Sequence, residues 1–229
     1  MKKTRILFLL AFALLLTLAC SVFTGPATSN DGPAPVADAP AESTILFQDD
    51  FSSTNSGWDR NDWDSGITDY NNGTYRMVVK VSSYDIWANP GKSFAGDISV
   101  EVDATKVAGE LDDDFGLICR YSGEPSAPSY YYFLISSDGY AVIGSVISGE
   151  SSYISAEQMM PNDAIKQGLA TNRLRADCVG STLTFYVNGQ QVASATDSAL
   201  TSGDVGLMAG TFDIPSAEFS FDNFVVRRP

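Results

Sequence analysis

The chain has 229 residues with 28 acidic and 14 basic side chains, a formal net charge of −14 at neutral pH, and three cysteines but no histidine. The missing histidine excludes Ser-His triads, Cys-His pairs and His-ligated zinc. The acidic balance argues against nucleic acid and anionic surfaces as partners, since both need a basic footprint, and it leaves room for oxygen-ligated calcium.

Lys2, Lys3 and Arg5 open the chain, and an apolar run over residues 6–18 follows, broken only by Thr17. A run this short, ending in a small residue, reads as a signal peptide (residues 1–19) rather than a membrane span. Leu18-Ala19-Cys20 resembles the lipobox of bacterial lipoproteins, although Thr17 stands where leucine is usual. The resemblance implies cleavage before Cys20, a diacylglyceryl group on its sulfur, and a lipid-anchored, extracytoplasmic place in the cell envelope. The alternative is an ordinary secretory signal with an incidental cysteine. Without Lys2, Lys3 and Arg5 the chain carries 11 basic against 28 acidic residues, a net of −17. Residues 20–43 are mostly Pro, Ala, Ser and Gly, too poor in apolar side chains to fold, and read as a tether. Residues 44–229 suit one domain with a single core.

Alternation at period two dominates that domain. Over 97–107, Ile98, Val100, Val102 and Ala104 fall on one side, with Ser99, Glu101, Asp103 and Thr105 on the other. Residues 115–121 and 130–136 read as strands. The second turns at Asp138-Gly139, which supplies the positive φ of a tight hairpin, into 140–147. Residues 173–178 return through Gly180-Ser181 as 183–187 and turn again at Asn188-Gly189, while 205–209 and 219–226 close the chain. Residues 156–168 have room for one short helix, limited by Pro161. About a dozen strands over this length predict an all-β, two-sheet antiparallel sandwich.

Phe47-Gln48-Asp49-Asp50-Phe51-Ser52, Gly57-Trp58 and Asn72-Gly73-Thr74-Tyr75 are similar to the opening of concanavalin A-like jelly rolls. So are the segment Phe115-Gly116-Leu117-Ile118-Cys119-Arg120-Tyr121, the hairpin end Tyr186-Val187-Asn188-Gly189, and the closing Phe221-Asp222-Asn223-Phe224-Val225-Val226. That superfamily includes laminin-G-like domains, family 16 glycoside hydrolases and 3-keto-disaccharide hydrolase domains, so the resemblance implies a fold more than a function.

Three candidate sites follow. Glu101-Val102-Asp103 matches the first two positions of the Glu, Asp, Glu set that family 16 hydrolases carry on one strand, but Thr105 stands where the acid/base belongs and Lys106 follows it. Threonine cannot protonate a leaving group. The acidic run Asp112 to Asp114 is an alternative source of that acid, but it reads as a solvated loop. A non-enzymatic domain is therefore expected. Strand parity groups Glu101, Asp103, Arg120, Tyr130 and Tyr132 on one exposed face, extended by Trp63 and Trp87 from loop-like sequence. Aromatics beside charged hydrogen-bonders suit a glycan, and ordinary packing is the alternative. Asp49, Asp50 and Asp222 are the calcium candidates. The resemblance implies an ion tying the first strand to the last, and a change of parity at Asp222-Asn223 predicts a bulge there. Finally, Cys119 and Cys178 both fall on the apolar phase of their strands in an exported chain. This predicts a disulfide, with two buried free thiols as the alternative. The expectation is a non-catalytic envelope module that binds a glycan or another envelope component. The rival expectations are a sugar hydrolase of glycoside or keto-disaccharide type and an interaction module of an envelope complex.

Overall fold

The computed structural model describes residues 44–229, so the signal peptide, Cys20 and the tether lie outside the described residues. The strands of the first half are β1 (Ile45–Asp49), β2 (Asn61–Asp62), β3 (Gly66–Asn71), β4 (Thr74–Val79), β5 (Tyr84–Ala88), β6 (Phe94–Ala95), β7 (Ile98–Ala108) and β8 (Asp114–Ser122). The second half adds β9 (Ser129–Ser136), β10 (Tyr140–Ile147), β11 (Glu150–Tyr153), β12 (Met160–Pro161), β13 (Thr171–Val179), β14 (Thr182–Val187), β15 (Gln190–Thr196), β16 (Ser202–Thr211) and β17 (Ala217–Arg227). No helix occurs among the described residues. The segment given room for one carries only the two-residue β12, which pairs with β10, and turns around it.

The strands form two antiparallel sheets. One runs β15-β14-β13-β7-β17-β4-β3-β2, and the other β11-β10-β9-β8-β16-β5. β17 takes β7 on one side. On its other side it takes β4 along its first half and β1 along its second. β12 joins β10 and β6 joins β16 at the second sheet.

Period-two alternation builds the core between them. Ile98, Val100, Val102 and Ala104 of β7, Leu174, Ala176 and Cys178 of β13, and Phe219, Phe221, Phe224 and Val226 of β17 meet Phe115, Leu117 and Cys119 of β8 and Tyr131, Phe133 and Ile135 of β9. The parity of β17 changes where its register to β7 shifts between Asp222 and Val225, with Asn223 at φ 54°. This is the expected bulge, and it keeps both halves of the strand facing the core. Phe51, Trp58, Tyr75 and Phe224 pack at 4.9–5.4 Å between ring centres, which ties the first aromatic run to the last strand. Cys119 and Cys178 are bonded across the interior, one from each sheet, with Cα atoms 7.0 Å apart.

Candidate functional site

The two outer faces of the sandwich differ in kind. The outer face of the β7 sheet is polar and self-satisfied. Arg173 reaches Glu101 at 2.8 Å and Asp103 at 3.4 Å, and Asn223 donates to Asp103 at 2.9 Å. Thr105 shares a hydrogen bond with Thr171 across the strand pair. The outer face of the β9 sheet carries a second apolar layer instead: Ile118, Tyr130, Tyr132, Leu134, Val142, Val146 and Met208, with Trp87 and Tyr121 packed against it.

The predicted binding face therefore divides. Tyr130, Tyr132 and Trp87 lie together on the β9 sheet. Glu101 and Asp103 lie on the opposite side of the sandwich, tied to Arg173. Arg120 belongs to neither face. A break in register on both sides of β8, with Arg120 at φ 57°, reverses its direction, so the side chain enters the interior and is 2% exposed. There it donates to the carbonyls of Cys178, Gly180 and Leu200, stitching the β13–β14 turn to the strand beside it. Strand parity assumes an unbroken pleat, and a bulge voids it. Tyr130 and Tyr132 are on the expected side but only 3% exposed each, so they form a floor and not a contact surface. Trp63 is 46% exposed, on the rim.

Above that floor runs a groove made of two hollows, about 580 Å³ and about 990 Å³, that share Tyr84, Asp85 and Trp87. The size is that of a small-ligand site. Tyr153 and Phe212 border the first hollow, and Tyr121 and Trp63 the second. The aromatic rings run on without a gap: Tyr121 stacks on Tyr130 at 5.7 Å, Trp87 lies 6.2 Å from Tyr130, and Tyr132 links Tyr130 to Tyr153 at 6.4 Å each way. Glycines make room for them. Any Cβ on Gly144 would fall 2.0 Å from the Tyr132 ring, so that ring lies directly on the backbone of β10.

Two carboxylates lie in the groove, Asp85 where the hollows join and Asp114 in the first of them. Asp85 of β5 pairs in register with Gly210 of β16, and Asp114 of β8 lies on the other side of the same glycine. A Cβ built on Gly210 would fall 2.2 Å from one oxygen of Asp85 and 2.5 Å from one oxygen of Asp114, which places those oxygens within about 5 Å of each other. Although Asp85 still meets solvent, the protein around it strips water from the charge and lifts its carboxyl to about 6. Asp114 is 7% exposed. Burial first, then the nearby Asp85, hold its carboxyl well above the usual range. The solvated acidic loop expected over residues 112–114 is thus wrong for two of its members. Asp113 is buried against Lys106 at 2.6 Å, and Asp114 heads into the groove. Asp85 was missed in the sequence, and Asp114 was weighed there only as one member of the 112–114 run. Asp85 had a signal: in Tyr84-Asp85-Ile86-Trp87-Ala88, an inward Ile86 sends Asp85 outward with Trp87.

At the β1–β17 join, one oxygen of Asp49 is buried without a partner, while its other oxygen accepts from the Phe51 amide at 2.8 Å. Asp50 is taken up by Ser52, and Asp222 by the Asn223 amide. Among the described residues no three His, Cys, Asp or Glu side chains converge as a metal set. The free Asp49 oxygen fits a calcium ligand, and backbone carbonyls would have to complete the six to eight oxygens that calcium takes.

No family model matches the sequence, and no curated protein matches it. Solved structures do. A carbohydrate-binding module, CBM66 from Bacillus subtilis, superposes with TM-score 0.58 at 20% identity over 75% of this chain and 96% of that one. A galectin-like-fold protein of unknown function from Bacillus subtilis gives 0.60 at 12% over 81% and 96%. A Bacillus licheniformis β-glucanase gives 0.55 at 13% over 80% and 97%. At these identities the likeness is one of fold. What the described chain shares with them is its fold, an all-β jelly roll of two antiparallel sheets.

Proposed function

We propose that the domain binds carbohydrate in the groove on the β9 sheet and does not cleave it, and that it is held at the cell envelope by lipid on Cys20. The aromatic-walled groove carries this reading: sugar rings present C–H faces that stack on exposed aromatic rings, and Trp87 stands at the junction of both hollows. A carbohydrate-binding module and a β-glucanase of the same fold support the carbohydrate part of this reading. On a glycan array the protein is expected to retain a restricted set of glycans and release no product. Trp87→Ala should weaken that retention roughly tenfold, about 1.4 kcal/mol. Unchanged binding in Trp87→Ala would move the site elsewhere.

One observation favours hydrolysis as a second reading. Asp85 and Asp114 are about as close as the carboxyl pair of a retaining glycosidase. Turnover that vanishes in Asp85→Asn would establish it. The Glu101-Asp103 pair offers no such support, since its carboxylates are engaged by Arg173 on the far sheet.

For the envelope attachment, mass measurement of the mature N-terminus should find an acylated cysteine, and Cys20→Ala should release the protein to the medium. A mature chain starting elsewhere with an unmodified residue would overturn it. The reading also includes calcium at Asp49. Chelation should lower the melting temperature of the wild type and leave Asp49→Asn unmoved, and identical wild-type melting with and without chelator would remove the ion.

A further inference from the structure

A neutral sugar does not explain the charge of the groove. Across both hollows the lining includes Asp59, Asp62, Asp64, Asp85 and Asp114, with no lysine or arginine among the described residues that form it. Some of this charge is answered from outside: Lys80 holds Asp62 at the rim, and Asp59 accepts the Asn89 amide. Asp114 is different. It is more than nine-tenths buried, it lines the groove, and the oxygen it turns toward Gly210 has no hydrogen-bond partner. The nearest buried cation, Lys106, is already committed to Asp113 and the carbonyl of Glu110. A carboxylate buried without a donor or counter-charge is costly, and a second one within about 5 Å raises the cost. The residue between them is Gly210, and the two oxygens close over it so tightly that even a Cβ would not fit.

We propose that the groove selects a glycan bearing a free amine, a glucosamine-type unit, whose ammonium group is held by Asp85 and Asp114 from the side of the first hollow that both line. This rests on the reading of the groove as a carbohydrate site and names its ligand class. An ammonium brings three donors to two carboxylates and supplies the charge the protein withholds. Trp87, Tyr153 and Phe212, which line the same hollow, offer π faces to a cation and stacking surface to the sugar carrying it. N-acetylation removes that charge and adds bulk where Gly210 leaves room for little. Anionic glycans meet the five aspartates.

The test is calorimetry near neutral pH with two probes of equal length, the glucosamine trisaccharide and its fully N-acetylated counterpart. The amine form should bind at least tenfold more tightly. Asp114→Asn should abolish that preference while raising the melting temperature, because it removes a buried, unpaired carboxylate. A residue that merely supported the fold would lower both. Equal or tighter binding of the acetylated form would overturn the inference, as would a preference that survives in an Asp85→Asn/Asp114→Asn double variant. Binding that depends on added calcium and disappears on chelation would also overturn it, by placing a metal between the carboxylates. The two readings fail differently. If neutral glycans bind in a Trp87-dependent way and the amine form does not, only the amine assignment falls. If neither trisaccharide nor any arrayed glycan binds, the groove as a sugar site falls with it.

Discussion

Replacing Cys119 and Cys178 with alanine should cost about 4 kcal/mol of unfolding free energy in the chain-entropy account. The bond spans 59 residues of sequence, and opening it returns that loop's freedom to the unfolded chain. For a domain of this size the loss corresponds to roughly 8–16 °C in melting temperature. Chemical denaturation of the variant, or of the wild type with and without reductant, measures it. The cysteines enter from opposite sheets, Cys119 from β8 and Cys178 from β13. Arg120 adds to the same seam by donating to the carbonyl of Cys178 at 3.0 Å. A loss below about 1 kcal/mol would mean that the unfolded chain keeps these segments together without the bond.

The second large effect lies at Lys106 and Asp113. Lys106 continues the inward phase of β7 and is 1% exposed, with its ammonium 2.6 Å from an oxygen of Asp113 and 4.8 Å from the centre of the Phe219 ring. Burial outweighs the lysine's attraction, so the Asp113 carboxyl sits above the ordinary range. Removing one partner strands the other: Lys106→Ala should destabilise the fold by about 3–5 kcal/mol. Replacing both, as Lys106→Met with Asp113→Leu, should recover most of that loss, because well-packed apolar groups serve as well as a buried pair. Denaturant unfolding of the two variants decides the matter. Equal losses in the single and double variants would show that the Glu110 carbonyl, which also accepts from Lys106, carries the energy.

Both features show what the sequence discloses and where it stops. Alternating residues in β7, β8, β9 and β13 announced the sheets, the inward faces and the cysteine pair, because an unbroken pleat sends every second side chain to one side. The same rule carried one step further along β7 would have put Lys106 in the core. Its charge argued the other way, and only the partner seven residues on, Asp113, reverses that. Parity failed at Arg120 for another reason: the bulge there falls near the end of β8, where too few residues follow to show the change of phase that gave away the bulge at Asp222-Asn223. It also gives each strand two faces without saying which sheet the strand joins. Glu101 and Tyr132 both point outward, but from opposite sheets. The groove needs β5 beside β16 and β16 beside β8, an order set by long crossovers. Asp85 and Asp114 are 29 positions apart in sequence and neighbours only across Gly210.

The pairing of β1 with β17 has a mechanical consequence. The amide of Arg228 donates to the carbonyl of Thr44 at 2.9 Å, so the described chain starts and finishes at one spot on the sheet opposite the groove. Tension applied through residue 44 reaches β1 at its open end. The Thr44–Arg228 bond takes the load first, then the Ile45–Arg227 rung, then Phe47–Val226, then Gln48–Val225 and Asp49–Phe224. Rungs that part singly resist far less than rungs sheared together. A domain pulled this way yields first at β1, the strand beside Phe51 and Trp58, while the sheet that carries the groove is not in the line of force.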